Sequence, residues 1–408
     1  MNILFYLPLI IIVFLVGAAP VLFLLPSIGL TVWGLFLKDI GVLREDGGAL
    51  LIWFLLSCLL VLGFMLKKLS LKPKIDIEPF TTLFKVFGPW LIFLIYLYIN
   101  YFVQSRNTYH QSYALEKINL FMLKGVFSGF LLSAWLLLGK NNTKEKIEKA
   151  ILFIGVFQSF FIAKTWLTEG LVGRIRFFGL NPIWVAREAG LSLIASLNVL
   201  KKPVLKYLLV AIFIFSIVLS GSRAPLLGLI MILLFKYSKV LFRNKKYWLL
   251  TPHVIIMLLF LFAGLLNLGL DDYITRGGAT VWEERNIQSR ISLYTTAWDD
   301  FVKNPVLGKG VGSYKYSVHT YPHNIILELL AETGLIGLIL FVFAMYPLFY
   351  PVISKKRFNC KGVFFWYALF ALITAFFSGD LEKNSYLIVF TSLYGTELIM
   401  SRKKKNEL

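Results

Sequence analysis

The chain is 408 residues long, 58% hydrophobic, and carries a formal net charge of +20. Apolar runs of roughly 16 to 25 residues recur from one end to the other, each long enough to cross a bilayer, which excludes a soluble globular domain and predicts an all-α polytopic membrane protein. The positive charge does not point to nucleic acid, because the surplus is shared among alternate loops rather than gathered on one face.

Residues 2–37 are apolar throughout and interrupted by Pro8, Pro20 and Pro26. Two short spans fit, as does one span with a re-entrant piece, so the expected total is about 12 spans, 12 or 13. Further spans are expected at 49–66, 85–103, 118–138, 150–166, 184–200, 204–220, 224–242, 248–270, 325–349, 362–378 and 384–400. Sides alternate back from the basic tail. The loops at 67–85, 140–149, 201–206, 236–246, 354–361 and 402–408 carry 25 Lys and Arg against 5 Asp and Glu. The opposite set, at 38–48, 104–119, 167–188, 221–224, 271–324 and 378–384, carries 15 against 14. The positive-inside rule makes the first set cytoplasmic and the second external. Cys58 lies in an apolar run and Cys360 in a basic loop, so neither a structural disulfide nor a metal-binding cysteine spacing is expected.

Three external segments carry more chemistry than a connection needs. Residues 167–188 place Arg174, Arg176 and Arg187 where basic residues are ordinarily sparse, and SGSRAPLLGL sets Arg223 at the mouth of two spans. Such an arginine either snorkels to the interface or faces a polar cavity. The third segment, 271–324, is far longer than an ordinary inter-helix connection. Within it RISLYTTAWDDFVKNP has apolar residues at 291, 294, 298, 301 and 302, the spacing of an amphipathic helix lying along the membrane, with Arg290 at its start and Pro305 at its end. Gly308, Gly310 and Gly312 then supply a flexible turn back towards His323. The acids Asp271, Asp272, Glu283, Glu284, Asp299 and Asp300 come in adjacent pairs that read as a solvated face, and no metal site is expected.

In YPHNIILELLAETGLIG, Pro322 suits the first turn of a long apolar helix, so His323 is expected beside a helix N-terminus. That end favours a bound anion and a neutral imidazole able to accept a proton; alternatively, His323 simply caps the helix at the interface. Glu328 lies one turn beyond Asn324, so both are expected to line one cavity as supporting groups. Arg223, Arg290, Arg187 and Arg176 (or Arg174) share a membrane side with His323, and guanidinium forks beside a helix end make a receptor for a diphosphate. The expected substrate class is a polyprenyl diphosphate carrying a sugar. Histidine would act as the base for the attacking hydroxyl, and no metal or cofactor is needed. A transporter of a glycan-linked lipid is the alternative, set back by the lack of internal repeats.

The strings SGSRAPLLGL, SRISLYTTAWDDFVKNPVLGKGVGS and PHNIILELLAETGLIG, in this order and spacing, resemble the O-antigen ligase and polymerase superfamily of bacterial surface-polysaccharide glycosyltransferases. The resemblance is clearest over 220–340. It implies a C-type (GT-C) membrane glycosyltransferase of the bacterial inner membrane with one integral membrane domain: N-terminal spans in 1–270, a large external loop at 271–324, and C-terminal spans with a basic cytoplasmic tail in 325–408. It implies Arg223 and Arg290 as diphosphate ligands and His323 as general base. Its implied partners are an undecaprenyl-diphosphate-linked glycan donor, an acceptor that is either a lipid A core (ligase) or another lipid-linked glycan (polymerase), membrane lipids and other polysaccharide-assembly proteins, but no nucleic acid.

Overall fold

The structure, a computed structural model, describes residues 78–104, 108–139, 142–169, 182–220, 222–243, 279–353, 362–377 and 379–406. The expected spans in 2–37, 49–66 and 248–270, together with Arg174, Arg176, Cys58 and Cys360, lie outside the described residues, as does the side chain of Arg223. Among the described residues every regular element is helical. Three helical segments are long and apolar enough to cross a membrane unaided, Pro79–Gln104, Ser112–Leu138 and Ile325–Ala344, and Pro203–Leu219, Ala224–Lys236 and Val363–Ala375 are shorter apolar helices. This is the architecture of a helical membrane protein.

The elements in order are α1 (Glu78–Gln104), α2 (Thr108–Leu120), a π-helical stretch (Phe121–Phe127), α3 (Ser128–Leu138), α4 (Thr143–Glu169), α5 (Pro182–Val199), α6 (Pro203–Leu219) and α7 (Arg223–Arg243). They continue with α8 (Ala279–Lys303), α9 (Ser313–Val318), α10 (Ile325–Ala344), α11 (Tyr346–Ile353), α12 (Val363–Ala375), a 3₁₀ turn (Glu382–Asn384) and α13 (Ser385–Asn406). Neighbours in sequence pack as pairs, notably α4 with α5, α5 with α6 and α12 with α13. The helix that holds the expected span 118–138 begins ten residues earlier, at Thr108, because the polar stretch before the span continues it. The π-helical widening follows from Ser128, whose hydroxyl donates to the Leu123 carbonyl at 2.9 Å. Gly125 within the widened turn faces Ile388 of α13, where a Cβ would overlap that side chain.

Gly190 of α5 and Gly228 of α7 both face Phe370 of α12. The first turns of α5 and α7 and the last turn of α12 therefore share one end of the bundle. Arg187 and the backbone of Arg223 lie at that end, as the loop alternation requires.

The expected span at 325–349 is matched over Ile325–Ala344, but it is not one continuous helix. It divides into α10 and α11 at Met345, and α10 itself is broken at Gly334, whose φ of 65° and ψ of −165° are non-helical. The loop after α8 inserts there. Lys309 and Gly310 donate to the carbonyls of Ala331 and Glu332 at 2.8 and 3.0 Å, while Leu335 and Ile336 donate to those of Pro305 and Val306 at 2.9 and 3.3 Å. These bonds satisfy backbone groups that the break would otherwise leave unpaired. The turn expected to be flexible is therefore fixed. Gly308, Gly310 and Gly312 have φ of 70°, 109° and 78°, and Asn100 of α1 donates to the Leu307 carbonyl at 2.6 Å and accepts from Val311 N–H at 3.1 Å.

The amphipathic helix is longer than expected, and its apolar stripe is left uncovered by protein, as a helix lying along a membrane surface requires. It starts at Ala279, so Arg290 lies within it rather than at its start. Ala297 and Asp300 are buried, and α8 packs on α10, while Ile291, Trp298 and Val302 stay exposed. A small residue permits close helix contact, and the bulky apolar residues are left for an interface between bilayer and water. Asp300 is therefore no part of a solvated face; Lys309 pairs with it at 3.0 Å.

Replacing Gly334 with Ala would force a non-glycine residue to positive φ and drive its Cβ into Val306. The expected loss is about 1–3 kcal/mol or more, read as a fall in thermal unfolding temperature of the detergent-solubilised protein. Gly88→Ala, whose Cβ would meet nothing nearer than Phe84 at 4.0 Å, is the control and should be neutral or stabilising. Equal behaviour of the two variants would mean that the inserted loop does not hold the break.

Candidate functional site

The site gathers around the N-terminal half of α10. Pro322 is not in the first helical turn; the helix starts at Ile325 and Asn324 is its N-cap, its side chain accepting from Ile326 and Leu327 N–H at 3.0 and 3.2 Å. Asn324 thus closes the helix end rather than lining a cavity. His323 precedes the cap with a φ of 57°, a left-handed conformation that is costly for a residue with a Cβ. That backbone turn lays the imidazole against Tyr321, with ring centroids 4.4 Å apart. His323 Nδ1 is buried and has no hydrogen-bond partner among the described residues.

The segment that faces this ring was expected to be an ordinary external connection. It is buried instead: Gly379, Asp380, Leu381 and Asn384 are all inside. Asp380 Oδ1 accepts from Lys383 N–H at 2.9 Å and its Oδ2 lies 3.5 Å from the Lys383 ammonium. The ammonium stands over the Tyr321 ring, 4.4 Å from its centroid. A Cβ built on Gly379 would lie 3.4 Å from Lys383 Cβ and 3.5 Å from Arg187 Nη1, so both cations flank this glycine.

Below the turn is a buried ion triad. Lys117 of α2 binds Glu328 and, at 2.6 Å, Glu332, each of the three side chains at most 4% exposed. Glu328 also accepts from Leu381 N–H at 3.1 Å. Glu328 is therefore a matched structural charge, not a supporting group in an open cavity. Lys117, read from sequence as a loop charge, is its counterion.

Of the expected arginines, Arg187 is buried, donating to the Thr374 carbonyl at 2.9 Å with its guanidinium 5.3 Å from the Trp184 ring. It joins α5 to the end of α12 as well as facing Gly379. Arg290 is exposed, and its charge reaches His323. The structure thus brings His323, Arg290 and Arg187 together and adds Lys383, Asp380 and Tyr321. A hint was present in SGDLEKN, three charges in a short connection between apolar helices, but nothing local said that this connection folds inward.

Electrostatics follow from this arrangement. Burial, then the charges of Arg290 and Lys383, push the His323 imidazolium down to about 4, against a smaller opposing pull from Asp380. Burial works to raise the Asp380 carboxyl, yet Lys117 and Lys383 hold it below the usual carboxylate range. Burial likewise opposes the charge on Lys383, but Asp380 and Tyr321 outweigh it and keep its pKa above the ordinary lysine value. The site at neutral pH is a neutral base among cations. Among the described residues no group of three or more His, Cys, Asp or Glu converges as a metal site. An apolar cavity of about 800 Å³ lies away from these groups, between α1 and the π-helical stretch, lined by Phe84, Leu91, Val126 and Phe130 among others. Its lining suits hydrocarbon rather than reacting groups.

Residues 208–342 match the family model described as O-antigen ligase. The match covers less than half of the chain, runs from α6 into α10, and includes Arg223, Arg290 and His323; Arg187, Asp380 and Lys383 fall outside it. It supports the O-antigen ligase and polymerase superfamily that the sequence strings resemble. No curated protein matches the chain.

Lys117→Met would leave two buried carboxylates without a counterion, at an expected cost of about 3–5 kcal/mol. Combining it with Glu328→Gln and Glu332→Gln should return most of the thermal stability. A single variant as stable as wild type would show that the triad is not a buried ion network. For His323, carbon-detected NMR of histidine-labelled protein should find a neutral ring at pH 6, with a midpoint near 4 that rises in Arg290→Ala. Between pH 4 and the ordinary 6.5 the unfolded chain binds the extra proton, so this group's contribution to stability grows as pH rises through that window. A midpoint near 6.5 in wild type would contradict the burial and charge described.

Proposed function

We propose that this chain is a membrane glycosyltransferase that moves a glycan from undecaprenyl diphosphate to an acceptor hydroxyl at the outer face of the inner membrane, with about twelve spans and a C-type fold. The family match to residues 208–342 supports the superfamily. The observation that carries the chemistry is the neutral His323 ring, held by a left-handed turn at the capped end of α10 and within reach of the charges of Arg290 and Lys383, with Arg187 beside the neighbouring Gly379. Loop charge asymmetry supports the outward orientation of this end.

In this reading the acceptor O–H loses its proton to His323 as its oxygen bonds to the anomeric carbon. The bond from that carbon to the diphosphate breaks, and the diphosphate departs with the electron pair, stabilised by the cations. A base near 4 is weak, but an arriving diphosphate offsets Arg290 and Lys383 and so moves the imidazole back towards its ordinary range, closer to the value that favours general base catalysis. Arg223, Arg290, Arg187 and Arg176 are the proposed diphosphate ligands. Asn324 and Glu328 contribute by holding the helix end. The reaction uses no metal. The favoured acceptor is lipid A core, the ligase reaction, in line with the description of the matching family; joining lipid-linked repeats, the polymerase reaction, would use the same site.

Purified protein given an undecaprenyl-diphosphate glycan should form a glycosidic product in the presence of EDTA, with lipid A core as acceptor for a ligase and a second lipid-linked glycan for a polymerase. A transporter would form neither product. His323→Ala should bind donor normally while turnover falls by roughly 100- to 10,000-fold, and Arg290→Ala should lose both affinity and rate. Near-normal turnover in His323→Gln would remove His323 as the base, and activity lost to EDTA and regained with a divalent cation would remove the metal-free scheme.

A further inference from the structure

The sequence pattern assembles its anion site from arginines alone, yet the buried turn contributes a lysine. We propose that Lys383 is a phosphate-binding residue of the donor site, a mobile point charge that Asp380 holds when the site is empty and that follows the diphosphate when donor is bound. This rests on the donor reading above and extends it to a residue outside the matched family segment.

Position comes first. Lys383 reaches over Tyr321, the ring that packs on His323, and shares the surroundings of Gly379 with Arg187. A phosphate held by this ammonium would lie beside the Tyr321 ring that packs on the base.

Its existing bond is also loose. The ammonium is 3.5 Å from Asp380 Oδ2, while the other carboxylate oxygen is satisfied by the Lys383 backbone at 2.9 Å. An ammonium has three N–H donors, and one long contact to a carboxylate leaves capacity for phosphate oxygens. The side chain of Lys383 is 29% exposed and that of Asp380 1%, so the aspartate is enclosed while the lysine is partly open to an incoming ligand.

Charge balance points the same way. Lys117 is matched by Glu328 and Glu332, and Glu382, which also acts on Lys383, is paired with Lys124 at 2.8 Å, which leaves Asp380 as the carboxylate that acts on His323, Arg187 and Lys383 alike. Surplus positive charge beside a partly buried ring is unfavourable in an empty site and becomes favourable when an anion enters. The leaving diphosphate gains charge as its bond to carbon breaks, and a flexible ammonium can move with it where a guanidinium anchored to Thr374 cannot.

The test uses the full chain in detergent, with inorganic pyrophosphate and undecaprenyl diphosphate as probes in a direct binding measurement. Lys383→Met should weaken both by about tenfold or more, the worth of a charge-assisted hydrogen bond. Lys383→Arg should recover most of that affinity. Asp380→Asn combined with Lys383→Met removes both charges together, so it should melt close to wild type yet bind as weakly as Lys383→Met. With a full donor, KM should rise in both Met-containing variants by more than kcat falls. Wild-type affinity in Lys383→Met, or in the double variant, would overturn the proposal and leave Lys383 as the counterion of Asp380 while the donor reading stands. Binding of neither probe by wild type would overturn the donor reading itself and this proposal with it.

Discussion

A single buried ammonium, that of Lys117, determines where the site can be. It lies between two carboxylates one turn apart on α10 and is enclosed with them. Removing three such charges from water is expensive, and attraction among them offsets that cost only at close range. The first half of α10 therefore has one register against α2. Because Glu328 also receives the Leu381 N–H, the same contact draws the turn between α12 and α13 inward and brings Asp380 and Lys383 to the His323 ring.

The two halves of α10 are held by different forces. The half before Gly334 is fixed by the ion triad, by Tyr96 donating to the Thr333 carbonyl at 2.6 Å, and by the inserted loop. The half after it packs by shape: Phe341 meets Trp90 and Phe93 with ring centroids 5.8 and 5.5 Å apart. In a bilayer, apolar side chains gain little by leaving lipid for protein, so van der Waals fit and polar contacts do the joining. The break at Gly334 lets the site half follow its charges while the lower half follows its aromatics.

Separation of charge by depth gives the site its character. Deep carboxylates are matched by Lys117, whereas the more exposed Arg290 and Lys383 act on the His323 ring against the single opposing pull of Asp380. Burial first, and then the positive charges beside it, keep the His323 ring neutral. An incoming anion reverses that balance, which links donor binding to the basicity of the group that must accept the proton.

The sequence by itself determined the helical membrane class, because run length and hydropathy are local properties that a bilayer reads directly. It also determined the helical character of 291–303, since that follows from spacing within one segment. Periodicity finds the apolar stripe of that helix but not which residues pack on protein: Ala297 and Asp300 do, while Ile291, Trp298 and Val302 face outward. Asn324 and Glu328, expected to line one cavity, are instead a cap and a counterion, roles that are defined by partners rather than by residue type. The partner of Glu328 is 211 positions away. No local pattern encodes that pairing, the break that Val306 and Gly334 share, or the inward fold of 379–384. Only the packed chain decides which charges end up buried together, because the energy of a buried charge depends on what lies within a few ångströms of it and not on its place in the sequence.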